Sequence, residues 1–131
     1  RVKSVPPPHK KLKHIGLTHA FSFRADNQMR ALAAKGGVAQ VCLYSGFLKK
    51  GGGATVDDAV KHIVHMVDVM GIDSVGIGSD FDGGGGLPGL EDASRFNSFT
   101  RRLMREGFSD DDLSKIWGRN FIRVWKQIIK Q

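Results

Sequence analysis

Segments with the pattern of strands alternate with segments with the pattern of helices over most of this chain. Three short runs, at residues 15–19, 38–45 and 74–79, are mostly apolar, contain β-branched residues and are typical of strands. Helical periodicity separates them and continues towards the end of the chain, so the predicted order is β-α-β-α-β-α-α-α. Strands that alternate with helices pair in parallel through right-handed crossovers. The sequence therefore predicts an α/β fold of parallel β/α units.

The helix predicted between the second and third strands has the clearest boundaries. Thr55 and Asp58 have the spacing of a capping box, and Gly71 follows the last apolar position, where a glycine commonly ends a helix. The apolar residues of this segment recur at helical spacing, at Val56, Val60, Ile63, Val67 and Met70.

The first and last helices are predicted from single polar residues that could cap them. Asp26 is expected to cap a helix that runs to about Lys35, and Asn120 is expected to cap the last helix. Helical spacing predicts that the last helix points four apolar side chains inward, namely Phe121, Val124, Trp125 and Ile128.

The net charge of +7 is concentrated at the start of the chain. The first 13 residues hold five basic residues and no acidic one, whereas the remainder holds 15 basic and 13 acidic residues. Residues 1–14 are therefore predicted to be a basic, irregular leader. Because no aromatic residues interleave with its lysines to stack on bases, we expect no nucleic-acid partner. No apolar run approaches the roughly 20 residues of a membrane-spanning helix, so no membrane span is expected.

Polar residues follow each of the three predicted strands. His19 ends the first, Tyr44 and Ser45 end the second, and Asp80 follows the third. Because the carboxyl ends of parallel strands meet at one edge, where α/β folds gather their chemistry, these positions are expected to lie together. This convergence is the main evidence from the residues themselves for a functional site.

Asp80 and Asp82 follow the third strand within a segment rich in glycine. Carboxylates at such an edge can bind a cation or carry a proton, while the alternative is that they only cap turns. His19 is either a structural histidine or a metal ligand, since a neutral imidazole is a good zinc donor. Arg24 could hold a substrate carboxylate with its guanidinium fork, unless it only faces solvent.

Three other residues of chemical interest are expected to be structural. Cys42 is the only cysteine and lies in an apolar run, which favours a buried strand thiol over a nucleophile. His62 and His65 are close enough in sequence to reach one metal, but their helix is expected to pack outside the sheet, away from the strand ends.

Four runs of the sequence resemble the carboxyl-terminal region of the renal (membrane) dipeptidase family. They are ALAAKGGVAQVCLYSGFL, IDSVGIGSDFDGG, LPGLEDASRF and GRNFIRVW, and the resemblance covers roughly residues 15–129. It implies an eight-stranded TIM-type (β/α)8 barrel, of which residues 15–131 would form the last three strands and closing helices. It also implies two zinc ions and the hydrolysis of dipeptides.

The resemblance implies a role for each candidate site residue. Asp80 matches the aspartate that handles the proton in the reaction, and His19 matches a zinc ligand. Arg24 matches the arginine that grips the substrate carboxylate. Tyr44 and Asp82 lie at positions that can line the substrate pocket.

Several family ligands have no counterpart in this chain, including a His-x-Asp pair, a bridging glutamate and a second zinc histidine. We therefore expect the chain to supply only part of an active site for dipeptide substrates. A homo-oligomer or a complementing amino-terminal segment would complete it. The alternatives are a non-catalytic α/β anion-binding module and a degenerate dipeptidase relative. Cytoplasmic location is expected only if the chain is a bacterial-type family member.

Overall fold

The structure, a computed structural model, describes residues 23–129. Two strands, six α-helices and several short turns of other helix types follow one another in this range. The predicted leader and the predicted strand at residues 15–19 lie outside it. The elements are α1 Phe23–Ala34, β1 Ala39–Cys42, α2 Ser45–Leu48, α3 Val56–Met70, β2 Val75–Ser79, α4 Phe96–Arg105, α5 Asp110–Ser114 and α6 Asn120–Ile128.

Strands β1 and β2 pair in parallel, with α3 between them in sequence. The register pairs Ala39 with Val75 at one end and Cys42 with Ser79 at the other, with an irregularity between Val41 and Cys42. The predicted α/β class and the predicted parallel pairing of these two strands are confirmed. Strand β1 is shorter than predicted, because the chain turns into α2 directly after Tyr44.

Helix α3 supplies much of the core and has the predicted boundaries. The backbone amide of Thr55 donates to Oδ2 of Asp58 at 2.9 Å, and Gly71 ends the helix with a φ of 82°. The fully buried residues Ala59 and Ile63 belong to the hydrophobic core with other apolar positions of the helix. The predicted capping box and glycine stop are therefore confirmed.

Asp26 does not cap α1, which begins three residues earlier at Phe23. Its carboxylate oxygen Oδ1 instead lies 2.9 Å from Nε2 of His65, so it joins α1 to α3. The predicted cap is wrong because this carboxylate is bound by a partner 39 positions away, which no local pattern reveals.

Asn120 does not cap the last helix either, because its own backbone is already helical. Its side chain is 3% exposed, and its amide nitrogen donates to the carbonyl oxygens of Ile72 at 2.7 Å and Val75 at 2.9 Å. Carbonyl groups that are shielded from water need hydrogen-bond donors. The Asn120 amide supplies donors to these two carbonyl groups, just before and at the start of β2.

The predicted inward face of α6 is exposed over most of its length. Phe121, Trp125 and Ile128 are 44%, 56% and 65% exposed, while Val124 is half-buried. The prediction is wrong for the three large side chains, because the residues that the structure describes leave this side uncovered. We call the exposed set the apolar α6 surface: Phe121, Ile122, Trp125, Ile128 and Ile129.

Within residues 23–129, no helix combines the length and the apolar character needed to cross a lipid bilayer.

Candidate functional site

Two chain segments meet at the carboxyl ends of β1 and β2. We call this edge the rim, meaning residues 42–44 and 79–80. The backbone amide of Leu43 donates to the carbonyl oxygen of Ser79 at 3.0 Å, which holds the two segments side by side just beyond the strands. Tyr44 then begins α2, and Asp80 begins a short 3-10 turn, Phe81–Gly83. The structure thus places Tyr44 and Asp80 at the same edge of the sheet.

The backbone of Ser79 and Asp80 is strained. Both have positive φ values, 37° and 68°, in a region that residues other than glycine rarely adopt. Such a conformation costs on the order of 1–3 kcal/mol and persists only where the surroundings impose it. Here the carbonyl oxygen of Asp80 accepts hydrogen bonds from the amides of Gly83 at 3.1 Å and Gly85 at 2.6 Å. The turn therefore fixes the direction in which the Asp80 carboxylate leaves the strand.

The glycine loop at residues 83–86 folds tightly over this turn. A Cβ atom on Gly85 would lie 2.4 Å from the carbonyl oxygen of Ser79 and 2.5 Å from that of Asp80. The amide of Gly86 donates to the carbonyl oxygen of Leu43 at 3.1 Å, which ties the loop to the end of β1. Glycine is required at position 85 because backbone atoms occupy the space of a side chain.

Tyr44 lies beside the same loop with its side chain 41% exposed. A Cβ atom on Gly84 would be 3.7 Å from Cε2 of Tyr44, and the Tyr44 ring meets the Phe47 ring edge-on at 5.1 Å between centroids. Tyr44 and Asp80 thus flank the glycine loop, and a ligand at the rim could contact both.

Asp82 is exposed in the 3-10 turn that follows Asp80. Its neighbour Phe81 stacks on Phe96 of α4 at 5.7 Å, and Phe96 packs against Trp117 at 4.6 Å. This aromatic row anchors the turn to the helices, while Asp82 itself stays exposed.

Cys42 belongs to the rim as well, although its place in an apolar run predicted only a buried strand thiol. Its thiol donates to Oδ2 of Asp80, with 3.5 Å between sulfur and oxygen. Burial raises the pKa of the Cys42 thiol, and the adjacent Asp80 carboxylate adds to the rise. One signal was available, because Cys42 precedes Tyr44 by two positions and alternate residues of a strand share a face.

The two histidines of α3 have contacts that explain them structurally. Nε2 of His62 lies 2.9 Å from the carbonyl oxygen of Leu48, and the side chain is 7% exposed. Burial lowers the pKa of His62, which favours the neutral ring. His65 lies against Asp26, as described above.

The described residues do not by themselves fit a zinc centre. Zinc sites take three or four protein ligands, and within residues 23–129 no three His, Cys, Asp or Glu side chains are grouped to hold a metal ion. The predicted ligand His19 lies outside this range. For the predicted substrate-binding residue Arg24, the structure describes the backbone in the first turn of α1 but not the side chain.

Comparison with known sequences gives one family and several relatives. The sequence model of the membrane dipeptidase family (peptidase family M19) matches residues 24–131. An uncharacterised dipeptidase of Schizosaccharomyces pombe is 40% identical in an alignment of 106 residues, which covers 78% of this chain and 26% of that protein. The chain thus spans about a quarter of the length of this curated relative.

Comparison with solved structures gives a similar fold in bacterial proteins. The probable dipeptidase PvdM from Pseudomonas aeruginosa matches with a TM-score of 0.73 and 26% identity, over 76% of this chain and 39% of that one. A metallo peptidase from Rhodobacter sphaeroides, liganded with a phosphinate mimic of the dipeptide L-Ala-D-Ala, matches in fold with a TM-score of 0.69 and 24% identity, over 73% and 28% of the two chains.

Proposed function

The chain belongs to the membrane dipeptidase family, peptidase family M19, and from this premise we propose that it forms the carboxyl-terminal part of an active site that hydrolyses dipeptides. The observation that carries the proposal is the strained turn at Asp80. A non-glycine residue held in a rare backbone conformation at the carboxyl end of a parallel strand is typical of a functional carboxylate.

Asp80 is the residue to which we assign proton transfer. Its side chain is exposed at the rim, so its carboxylate can accept a proton from an attacking water and pass it to the amine that leaves. Tyr44 and Asp82 would line the substrate pocket, and Arg24 would pair with the free carboxylate of the dipeptide. The dipeptide mimic bound by the Rhodobacter sphaeroides relative supports this substrate class.

Zinc is the metal that we propose for the complete site. Because the described residues lack a ligand set, we assign one ligand to His19 and the others to polypeptide beyond residues 23–129 or to a second chain. We also propose that β1, α3 and β2 are part of a (β/α)8 barrel, whose other strands would come from the same additional polypeptide. The apolar α6 surface supports the proposal, since a larger assembly would cover it.

A complementation assay tests this function. The chain would be combined with the Schizosaccharomyces pombe relative, truncated to lack the segment that aligns with this chain, and zinc would be added. We expect neither part alone to hydrolyse dipeptides at an appreciable rate and the combination to do so. Asp80→Asn should lower the kcat of the combination by about 100-fold or more, because a positioned proton-transfer group contributes that much.

Asp82→Asn is the matched comparison, because it removes the same charge two positions away, and as a pocket residue it is expected to change KM rather than kcat. A kcat for Asp80→Asn equal to that of the Asp82→Asn variant would contradict the role of Asp80. Robust hydrolysis of dipeptides by the chain alone would contradict the proposal that it supplies only part of the active site. A complex that forms and binds zinc without turnover would indicate a degenerate relative instead.

A further inference from the structure

The contact between Cys42 and Asp80 joins the ends of the two strands through their side chains. The register sets Cys42 opposite Ser79. The left-handed turn at residues 79–80 then directs the carboxylate of Asp80 back towards the end of β1. Sγ of Cys42 and Oδ2 of Asp80 are then 3.5 Å apart, although the two residues are separated by 38 positions in sequence.

Cys42 is the only side chain within the described part of the molecule that donates a hydrogen bond to this carboxylate. The backbone bonds from Gly83 and Gly85 go to the carbonyl oxygen of Asp80 and therefore hold the turn rather than the side chain. The carboxylate also packs against Gly83, since a Cβ atom there would overlap Oδ1 of Asp80. The thiol adds the directional hydrogen bond that this packing does not supply.

The environment of the thiol suits a donor rather than a nucleophile. Cys42 is half-buried between the strand ends, and burial together with the adjacent carboxylate keeps its proton in place at neutral pH. A protonated thiol is a weak donor, and hydrogen bonds to an ionised acceptor are stronger than those to a neutral one.

From these contacts we infer that Cys42 is a positioning residue. Its thiol hydrogen bond holds the Asp80 carboxylate in one orientation at the rim. The catalytic consequence rests on the proposed dipeptide hydrolysis. The contact itself does not, and it can be tested in the chain alone.

Infrared spectroscopy tests the contact directly. The chain has one cysteine, so its S–H stretching band reports on Cys42 alone. We expect Asp80→Asn to move this band to higher frequency, because a neutral amide oxygen accepts more weakly than a carboxylate. Asparagine also tolerates the left-handed backbone, so the variant should stay folded, which circular dichroism would check. Asp82→Asn is the control and should leave the band in place. A band unchanged by Asp80→Asn, or moved equally by both variants, overturns the inference.

Turnover in the complemented enzyme tests the consequence. The test compares Cys42→Thr with Cys42→Val. Threonine and valine side chains have the same shape, but only threonine retains a hydrogen-bond donor. We expect the valine variant to lose roughly fivefold in kcat with little change in KM, as for the loss of one hydrogen bond, and the threonine variant to retain most of the activity.

Equal rates for the two variants overturn the inference and leave the proposed function standing. Absence of turnover in every sample, including the unaltered chain, contradicts the proposed function, whereas the infrared comparison decides the contact in either case.

Discussion

At the scale of single residues, the rim depends on one close backbone approach. A side chain at position 85 would meet the carbonyl oxygens of Ser79 and Asp80, which cannot move without breaking the turn. Gly85→Ala is therefore expected to lower the free energy of unfolding by about 1–3 kcal/mol, the usual cost of forcing an extra carbon into occupied space. Urea denaturation measures this change.

Gly118→Ala is the control for that substitution, since a Cβ atom there would meet no heavy atom within 4 Å. A midpoint for Gly85→Ala no lower than that of the control would show that the loop relaxes at no cost, and the strained turn would then not be imposed by its surroundings.

At the scale of elements, α3 owes part of its stability to a side chain in its first turn. The carboxylate of Asp58 accepts a hydrogen bond from the backbone amide of Thr55, and this bond holds the pKa of Asp58 below its ordinary value. Asp58→Ala is expected to lower the free energy of unfolding by about 1 kcal/mol, the typical effect of losing a cap. Chemical denaturation at pH 7 measures this difference.

Asp110→Ala is a matched control, because Asp110 also lies in the first turn of a helix, while the capping bonds of α5 are made by Ser109 and Asp112. Because the folded pKa of Asp58 is lowered, its contribution is present above the ordinary pKa and is lost as the pH falls through the folded value. The gap between wild type and Asp58→Ala should therefore shrink in acid. A gap that stays constant would contradict the capping role.

At the scale of the whole molecule, the apolar α6 surface predicts association. Phe121 and Trp125 form an aromatic pair with ring centroids 5.6 Å apart, and both rings are about half exposed. Exposed apolar patches of this kind mark interaction sites. We expect the chain alone to form oligomers in light scattering, and Phe121→Gln combined with Trp125→Gln to shift it towards monomer.

Met104→Gln is the control for association, because Met104 is 48% exposed on α4, outside the apolar α6 surface. If the wild-type chain is monomeric, the apolar α6 surface does not drive association. Equal effects of the two sets of substitutions would indicate general hydrophobic adhesion rather than association through α6.

Local patterns in the sequence were sufficient for much of the fold. The capping box at Thr55 and Asp58, the stop at Gly71 and the parallel pairing of β1 with β2 depend on residues within a few positions or on the alternation of elements, and all were predicted correctly. Family membership was also predicted from short motifs and is confirmed. The catalytic role of Asp80 stays a prediction, as do those of His19, Arg24, Tyr44 and Asp82.

Only the tertiary structure decided which polar groups meet across the chain. Asn120 binds carbonyl groups more than 40 positions away, and Cys42 meets Asp80, because packing brings these partners together and no periodicity encodes such distances. The same reason explains the apolar α6 surface. Helical spacing predicts which side chains share a face of α6, whereas burial of that face depends on whether another element lies against it.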